Sequence, residues 1–133
     1  MVVSLETLKG RIGQPGAAIL DVRSQAEFAG ERFWPSGARE DAGRAGHIPG
    51  ALHVACDLVH DEEGELKRPA ELRALCEASG VGRERRVVTY CTIGNRASQV
   101  WFTLKYLLKY PNVSVYYGSW VEWGKLTSTP IET

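Results

Sequence analysis

The segment CTIGNR, residues 91–96, places a nucleophilic thiol and a guanidinium five positions apart. It directly follows the apolar run RVVTY, and a helical pattern begins with Ala97 and Ser98. A tight loop between a strand and a helix turns successive backbone N–H groups inward and adds the positive end of the helix dipole. Such a loop favours an anion. We expect that anion to be the Cys91 thiolate or a negatively charged group that its sulfur carries after reaction.

Cys91 also has a purely structural interpretation, since a cysteine at the end of a buried strand is often a small core residue. Arg96 by itself could equally be a solvated residue of the first helical turn. The glycine and the arginine at the strand-to-helix junction together favour a functional site. We therefore predict that Cys91 is the nucleophile and that Arg96 adds a fixed charge and a forked donor set at the rim of the loop. The residues predicted to bind substrate are Thr92, Ile93, Gly94, Asn95 and Arg96.

The composition indicates a single globular domain, residues 1–133, without a global electrostatic partner. Of the 133 residues 44% are apolar, and 16 Lys and Arg balance 16 Asp and Glu. A neutral chain has no overall attraction to nucleic acid or to an anionic membrane, so we expect neither as a partner. No stretch approaches the roughly 18 apolar residues of a membrane span, and the N-terminus lacks a signal-peptide pattern. We therefore expect a cytoplasmic protein.

The cysteines argue against a disulfide framework and against a zinc site. Cys56, Cys76 and Cys91 are odd in number, and neither a CxxC pair nor a suitably spaced histidine accompanies them. We therefore expect no metal, and we interpret Cys56 and Cys76 as structural residues.

The elements that would position the Cys91 loop alternate between strand and helix patterns. The predicted strands are 17–22, 51–55, 86–90 and 113–117, and the predicted helices are 4–9, 26–30, 69–79, 95–109 and a short helix from Ser119. Strands joined by helices of this length imply right-handed crossovers, a mostly parallel sheet and helices on both faces. In such an α/β fold reactive groups belong at the carboxyl ends of the strands, where Cys91 lies.

Four segments, in order along the chain, resemble the rhodanese family of sulfurtransferases. CTIGNRAS resembles the active-site loop of the family, LDVRSQAEF is similar to its D-x-R-x-x-x-E-[YF] signature, and GHIPGA matches its G-H-I-P-G-A motif. YYGSWVEWG is similar to a segment of the C-terminal, catalytic domain of two-domain thiosulfate sulfurtransferases. The resemblance extends from about Ala17 to Glu132 and implies a rhodanese-like three-layer α/β fold.

The resemblance also implies a double-displacement reaction. Cys91 would take a sulfane sulfur from a donor, become a persulfide and pass the sulfur to cyanide or a thiol, which is nucleophilic catalysis with ping-pong kinetics. Thiosulfate is the implied donor, and neither a metal nor an organic cofactor is required. The second interpretation is a persulfide carrier or a sulfide-sensing regulatory module. In two-domain relatives a partner domain closes the cleft. The sequence leaves open whether a missing partner domain or a second copy of the chain does so here.

Two departures from the family pattern, together with the length of the loop, bear on the substrate. Thr92 and Asn95 match neither the basic residue that many thiosulfate-specific members carry after the cysteine nor the small residues of mercaptopyruvate sulfurtransferases. Mammalian thiosulfate enzymes resemble this chain but carry an additional arginine at the position of Glu27. Related cell-cycle phosphatases place five residues between the cysteine and the arginine. The four residues between Cys91 and Arg96 therefore suit a sulfur atom better than a phosphate.

Residues outside the loop receive supporting roles. Asp21 and Arg23 could contact the active loop from the neighbouring strand, but the pattern favours a structural ion pair that anchors the following helix. His47, in a glycine- and proline-rich turn, is more typical of a hydrogen-bonded loop anchor than of a catalytic group.

The long loop 31–50 and the C-terminal aromatic residues could also border the pocket. Trp34, Arg39 and Arg44 are candidate substrate-steering residues because this loop would lie near the cleft. Trp120 and Trp123, three positions apart, share one helical face and are predicted to pack against the sheet end or to form a wall of the pocket.

Overall fold

The structure, a computed structural model, describes residues 1–38 and 42–133, and within these residues four strands form one parallel sheet. The strands are β1 (Ala17–Asp21), β2 (Leu52–His53), β3 (Arg86–Tyr90) and β4 (Val113–Val115). Their order across the sheet is β2-β1-β3-β4, so β1 and β3 form the centre and each pairs with two neighbours. All five residues of β1 are buried, as a strand covered on both faces requires.

Helices cover both faces of this sheet. They are α1 (Leu5–Arg11), α2 (Gln25–Phe28), α3 (Pro69–Ala78), α4 (Asn95–Phe102) and α5 (Ser119–Trp123). One core joins alternate β1 residues to α3 and α4, and the second core joins the opposite face to α1 and α5. Trp120 and Trp123 are completely buried in the second core, as their spacing predicts. The three-layer α/β fold expected from the sequence is therefore confirmed.

The structure differs from the predicted elements mainly at their ends. The strands β2 and β4, at the two edges of the four-stranded sheet, are shorter than predicted. Short edge strands expose few unpaired backbone groups, and a bridge from Val2 to Val115 covers part of the outer side of β4. A 3₁₀ turn, Cys56–Val59, was not predicted. The helix predicted over 95–109 ends at Phe102 and continues as a π-helical segment, Thr103–Leu107. There the Thr103 hydroxyl donates to the Gln99 carbonyl at 3.0 Å and competes with the regular backbone ladder.

A buried ion pair organises the carboxyl edge of the sheet. Asp21 and Arg23 are both fully buried, with Nη2 of Arg23 2.6 Å from Oδ2 of Asp21. The same Nη2 donates to the Gly46 carbonyl, the Tyr90 hydroxyl donates to Asp21, and the Arg23 guanidinium lies 4.5 Å from the Trp120 ring centroid. The pair is structural, as predicted. However, these contacts are with the loop before β2, with β3 and with α5, and not with the following helix.

We expect Asp21→Asn to lower the free energy of unfolding by about 3–5 kcal/mol, because the variant leaves the Arg23 cation buried without its counter-charge. Urea denaturation of the variant and the parent protein measures the difference. Asp57→Asn, at an exposed position, is the matched control and should change stability by less than about 0.5 kcal/mol. Equal effects of the two substitutions would contradict the structural importance of the pair.

Candidate active site

Cys91 lies where β3 ends and is completely buried. Its Sγ accepts a hydrogen bond from the Gly94 backbone N–H at 3.0 Å. Its own backbone N–H donates to Oγ of Ser119 at 3.1 Å. The thiol is therefore held in a fixed position beside a backbone donor at the base of the loop.

The backbone around this sulfur offers further donors. In residues 92–97 the Gly94 N–H reaches Sγ, and the other five amides have no hydrogen-bond acceptor among the described residues. Those five amides belong to Thr92, Ile93, Asn95, Arg96 and Ala97. Gly94 is the N-cap of α4, and no side chain caps the helix. A run of unpaired amides at a helix N-terminus is suited to bind an anion, as the loop sequence predicts.

Gly94 allows this loop its shape. Its φ is +109°, in the region that favours glycine, and a Cβ at this position would overlap the ring of Tyr117. The Tyr117 side chain is about half exposed and lies against the loop. Close approach of the ring and positive φ therefore both require the absence of a side chain at residue 94.

Helix α5 holds the first half of the loop from the opposite side. The backbone N–H of Trp120 donates to the Cys91 carbonyl at 2.9 Å, and that of Val121 donates to the Thr92 carbonyl at 3.0 Å. Oγ of Ser119, whose φ is +52°, donates to the Tyr116 carbonyl. Ser119 was predicted only as the start of a helix. Its place in the YYGSWVEWG segment was the available signal for this supporting role.

A buried carboxylate, Glu27, binds the loop near both of its ends. Oε1 and Oε2 of Glu27 each accept from one terminal nitrogen of the Arg96 guanidinium at 3.0 Å, and Oε1 also accepts from the Thr92 hydroxyl at 2.7 Å. Oε2 closes the capping box of α2 by accepting from the Ser24 backbone and hydroxyl. Glu27 is fully buried, and its role in the site was not predicted. The D-x-R-x-x-x-E signature was the signal that pointed to it.

This network sets the charges beside the loop. Burial would raise the pKa of Glu27, but hydrogen bonds from Arg96, Thr92 and Ser24 outweigh it and lower the pKa from 4.5 to about 2. Burial would lower the pKa of Arg96, but the Glu27 carboxylate outweighs it and raises the pKa further. Both groups are therefore charged at neutral pH. Arg96 was predicted to add a fixed charge and a forked donor set at the rim. Both of its terminal nitrogens donate to Glu27, so part of this donor set is used within the protein.

Trp34 lies beside the loop, as the sequence predicts. A pocket of about 220 Å³ lies between the chain around Trp34 and the Cys91 loop. The lining residues are Trp34, Pro35, Thr92, Ile93, Asn95 and Arg96. Four of the five loop residues predicted to bind substrate therefore border one cavity.

The other candidate residues bind elsewhere in the fold. The Arg44 guanidinium donates to Thr129 at 2.6 Å and to the Leu126 carbonyl, so these bonds tie it to the C-terminal segment and not to the pocket. Nδ1 of His47 donates to the Phe28 carbonyl at 2.8 Å, as a loop anchor does. Arg39 lies outside the described residues.

Two further observations limit the kinds of site in the described residues. Residues 1–38 and 42–133 hold no group of three or more His, Cys, Asp or Glu side chains that could bind a metal ion. No helix in the same part of the chain has the length and apolar character needed to cross a bilayer.

Comparison with protein families and with curated proteins supports the resemblance drawn from the motifs. The family model described as "Rhodanese-like domain" matches residues 4–126. "Sulfur carrier protein TtuD" of Thermus thermophilus is 44% identical over 122 residues, covering 91% of this chain and 43% of that protein. A Haloferax volcanii protein named "Putative thiosulfate sulfurtransferase" is 44% identical over 117 residues, 88% of this chain and 41% of that protein. The chain thus spans about two fifths of these relatives.

Solved structures share the fold over nearly the whole chain. An anaerobic ergothioneine biosynthesis enzyme from Chlorobium limicola, with trimethyl histidine bound, matches with a TM-score of 0.86 and 29% identity. The match covers 99% of this chain and 32% of that one. A variant of EanB with a cysteine persulfide and ergothioneine matches with a TM-score of 0.87, 28% identity and coverage of 99% and 32%.

We expect Glu27→Gln to be less stable than the parent protein by about 2–4 kcal/mol at neutral pH, because a buried ion pair loses one partner. The Glu27 pKa is lowered on folding, so its contribution is fully present above pH 4.5 and is lost as the pH falls towards about 2. The stability difference between parent and variant should therefore shrink over that range. Urea denaturation at several pH values measures it, and a constant difference down to pH 2 would contradict the ionised pair.

We expect Gly94→Ala to lower the free energy of unfolding by about 2–4 kcal/mol, since the new methyl group meets Tyr117 and the backbone is strained. Gly50→Ala is the matched control, because Gly50 also has positive φ, +77°, but has nothing within 4 Å of the position that a Cβ would take. The control should lose only the backbone contribution, about 1 kcal/mol. Chemical denaturation of both variants tests the difference, which should vanish if Tyr117 does not confine the loop.

Proposed function

The chain belongs to the rhodanese family, and from that premise we propose that it is a sulfurtransferase whose Cys91 carries the transferred sulfur as a persulfide. The donor is a small molecule with a sulfane sulfur, and thiosulfate is the donor that the motif resemblance implies. The acceptor is cyanide or a thiol. No metal or organic cofactor takes part in this scheme.

One observation carries the proposal: the sulfur of Cys91 lies at the start of a run of backbone amides that are free to bind an anion. The Gly94 N–H already donates to Sγ at 3.0 Å, and the five other amides of residues 92–97 have no acceptor among the described residues. A persulfide adds one more sulfur atom that bears the negative charge. Fixed donors that need no reorganisation stabilise such a charge at the moment it forms.

The proposed reaction has two displacement steps. In the first, the Cys91 thiolate attacks the outer sulfur of thiosulfate, the sulfur–sulfur bond of the donor breaks, and sulfite leaves with the bonding electron pair. In the second, the acceptor attacks the outer sulfur of the persulfide, and the Cys91 thiolate leaves. Electrons and charge balance in both steps, so neither an oxidant nor a reductant is needed.

In this scheme Arg96 acts by positioning the loop. Its bonds to Glu27, and its bond to the Thr92 hydroxyl at 2.8 Å, connect the two ends of the loop to α2. A loop held in this way keeps its amides aimed in fixed directions during both steps. Arg96 is also close enough to the Cys91 sulfur for their charges to interact.

A persulfide carrier is the second candidate function. The Thermus thermophilus relative is named a sulfur carrier protein, and the Cys91 side chain is fully buried, which would slow release of sulfur to small acceptors. The chain also spans only about two fifths of its curated relatives. A further domain or a second copy of the chain could therefore complete the site. We propose the sulfurtransferase because the unpaired amides beside Sγ offer donors for the negative charge of a persulfide.

We expect Cys91→Ser to abolish thiocyanate formation from thiosulfate and cyanide, by at least about 10³-fold, because the hydroxyl does not form the persulfide. Cys76→Ala, in α3, removes another buried thiol outside the loop and should keep the parent rate. Colorimetric detection of thiocyanate measures both. Undiminished activity of Cys91→Ser would contradict the proposed nucleophile.

Mass spectrometry of the protein after exposure to thiosulfate distinguishes the two candidate functions. Both predict the addition of one sulfur atom that is absent from Cys91→Ser. An enzyme should lose this sulfur to millimolar cyanide within seconds, at typical turnover rates of about 1–10³ s⁻¹. A carrier should keep it for minutes, and that outcome would exclude the sulfurtransferase in favour of the carrier.

A further inference from the structure

The pocket beside the Cys91 loop has no net positive charge among the described residues. Arg96 is the one cation of that part of the chain that lines it, and its guanidinium is bound to both oxygens of Glu27 at 3.0 Å. Glu27 is fully buried and stays ionised at neutral pH. The two charges cancel, so a Cys91 thiolate leaves the loop with a net negative charge.

Two exposed cations of the described residues lie near the cavity without lining it. The Arg32 guanidinium donates to the carbonyl of Pro35, a residue of the pocket wall, at 3.0 Å. The Lys125 ammonium lies 5.6 Å from the centroid of the Trp34 ring, but Lys125 is exposed and does not line the pocket. Solvent and salt screen a charge in that position. Arg32 and Lys125 therefore compensate a buried anion only weakly.

The walls of the pocket are mainly apolar. Trp34 and Pro35 form one side, and Ile93, which is 58% exposed, projects from the loop on the other. The volume is about 220 Å³. An apolar protein cavity of about 150 Å³ is known to accept benzene, so a small ring or alkyl group fits here. Burial of such a group adds binding energy that an inorganic ion lacks.

We propose that this pocket selects sulfane-sulfur donors that carry one negative charge and an apolar organic group, of the organic thiosulfonate type R–SO₂–S⁻, over the thiosulfate dianion. The inference rests on the proposed sulfurtransferase function and assigns its donor class. Glu27 is the specificity-determining residue for donor charge, and Trp34 is the one for the organic group. Thiosulfate remains a substrate, but a less efficient one.

The reaction with such a donor balances as it does with thiosulfate. The Cys91 thiolate attacks the outer sulfur, the bond between that sulfur and the sulfonyl sulfur breaks, and the electron pair leaves with the sulfinate R–SO₂⁻. The product on the protein is the same persulfide. The difference is that one negative charge, not two, approaches the thiolate, and that R occupies the apolar pocket.

The test compares kcat/KM for thiosulfate, methanethiosulfonate and benzenethiosulfonate with cyanide as acceptor. Each value is divided by the rate constant of the same donor with a small free thiol, which removes differences in leaving-group reactivity. The comparison of thiosulfate with methanethiosulfonate measures the effect of donor charge. The comparison of methanethiosulfonate with benzenethiosulfonate measures the effect of the ring. We expect normalised kcat/KM to rise by about tenfold from thiosulfate to methanethiosulfonate, and by about tenfold again to benzenethiosulfonate.

Two variants assign the residues. Glu27→Gln should raise the ratio of thiosulfate to methanethiosulfonate by about tenfold, because Arg96 is then uncompensated. The exposed substitution Glu71→Gln, with the same charge change in α3, should leave the ratio unchanged. Trp34→Ala should lower kcat/KM for benzenethiosulfonate by about tenfold and that for methanethiosulfonate by less than about twofold. Its control is Tyr106→Ala, at an exposed aromatic residue that does not line the pocket.

The outcomes separate the donor class from the function itself. If thiosulfate has the highest normalised kcat/KM, or if neither ratio moves in the variants, the donor assignment is overturned and the sulfurtransferase stands. If no donor adds a sulfur to Cys91, the proposed function fails instead. Ratios are used because a general loss of activity in Glu27→Gln cancels between donors. Trp34, which is partly buried and borders the pocket, provides a second variant that does not depend on the buried pair.

Discussion

The buried ion pair of Asp21 and Arg23 is the interaction on which the carboxyl edge of the sheet depends. Two charges without solvent contact are costly to bury, and here the cost is offset by hydrogen bonds to the Gly46 carbonyl and from the Tyr90 hydroxyl, and by the Trp120 ring. The pair therefore fixes β1, β3, the loop before β2 and α5 relative to one another. Helix α5 in turn binds the start of the Cys91 loop. The position of the reactive sulfur therefore depends on the Asp21–Arg23 ion pair, although the sulfur does not contact that pair.

A second buried carboxylate, Glu27, lies only six residues after Asp21 and binds the Cys91 loop. Glu27 completes the capping box of α2 and binds Thr92 and Arg96, so the loop is held near both ends. This contact also removes the net positive charge that the CTIGNR sequence alone suggests. Because the Glu27 carboxylate compensates the charge of Arg96, backbone amides are the main donors left for the Cys91 sulfur and for a bound substrate. Rigid positioning of the loop and the proposed preference for singly charged donors thus have the same physical origin.

Much of the fold was predictable from the sequence, and the reasons are local. Arg86–Tyr90 forms the predicted strand and is buried from Val87 onwards, and the helix that follows the loop begins at Asn95, where the predicted range 95–109 starts. The fold class is confirmed. The predicted lengths of β2 and β4 were wrong, because the extent of pairing at a sheet edge depends on tertiary contacts that no local pattern specifies. The roles assigned to Cys91 and its loop stay predictions that the geometry supports.

The sequence by itself determined the order of elements, the place of Cys91 after a central strand and the glycine that lets the loop turn, because these depend on propensities within a few residues. Only the tertiary structure decided that Arg96 is paired with Glu27, that Ser119 holds the Cys91 amide, and that Arg44 turns to the C-terminal segment. Glu27 and Arg96 are 69 positions apart, and Cys91 and Ser119 are 28 apart. No local sequence pattern specifies which buried polar groups pair across such separations. The pairing depends on all the polar groups that compete for partners in the packed core.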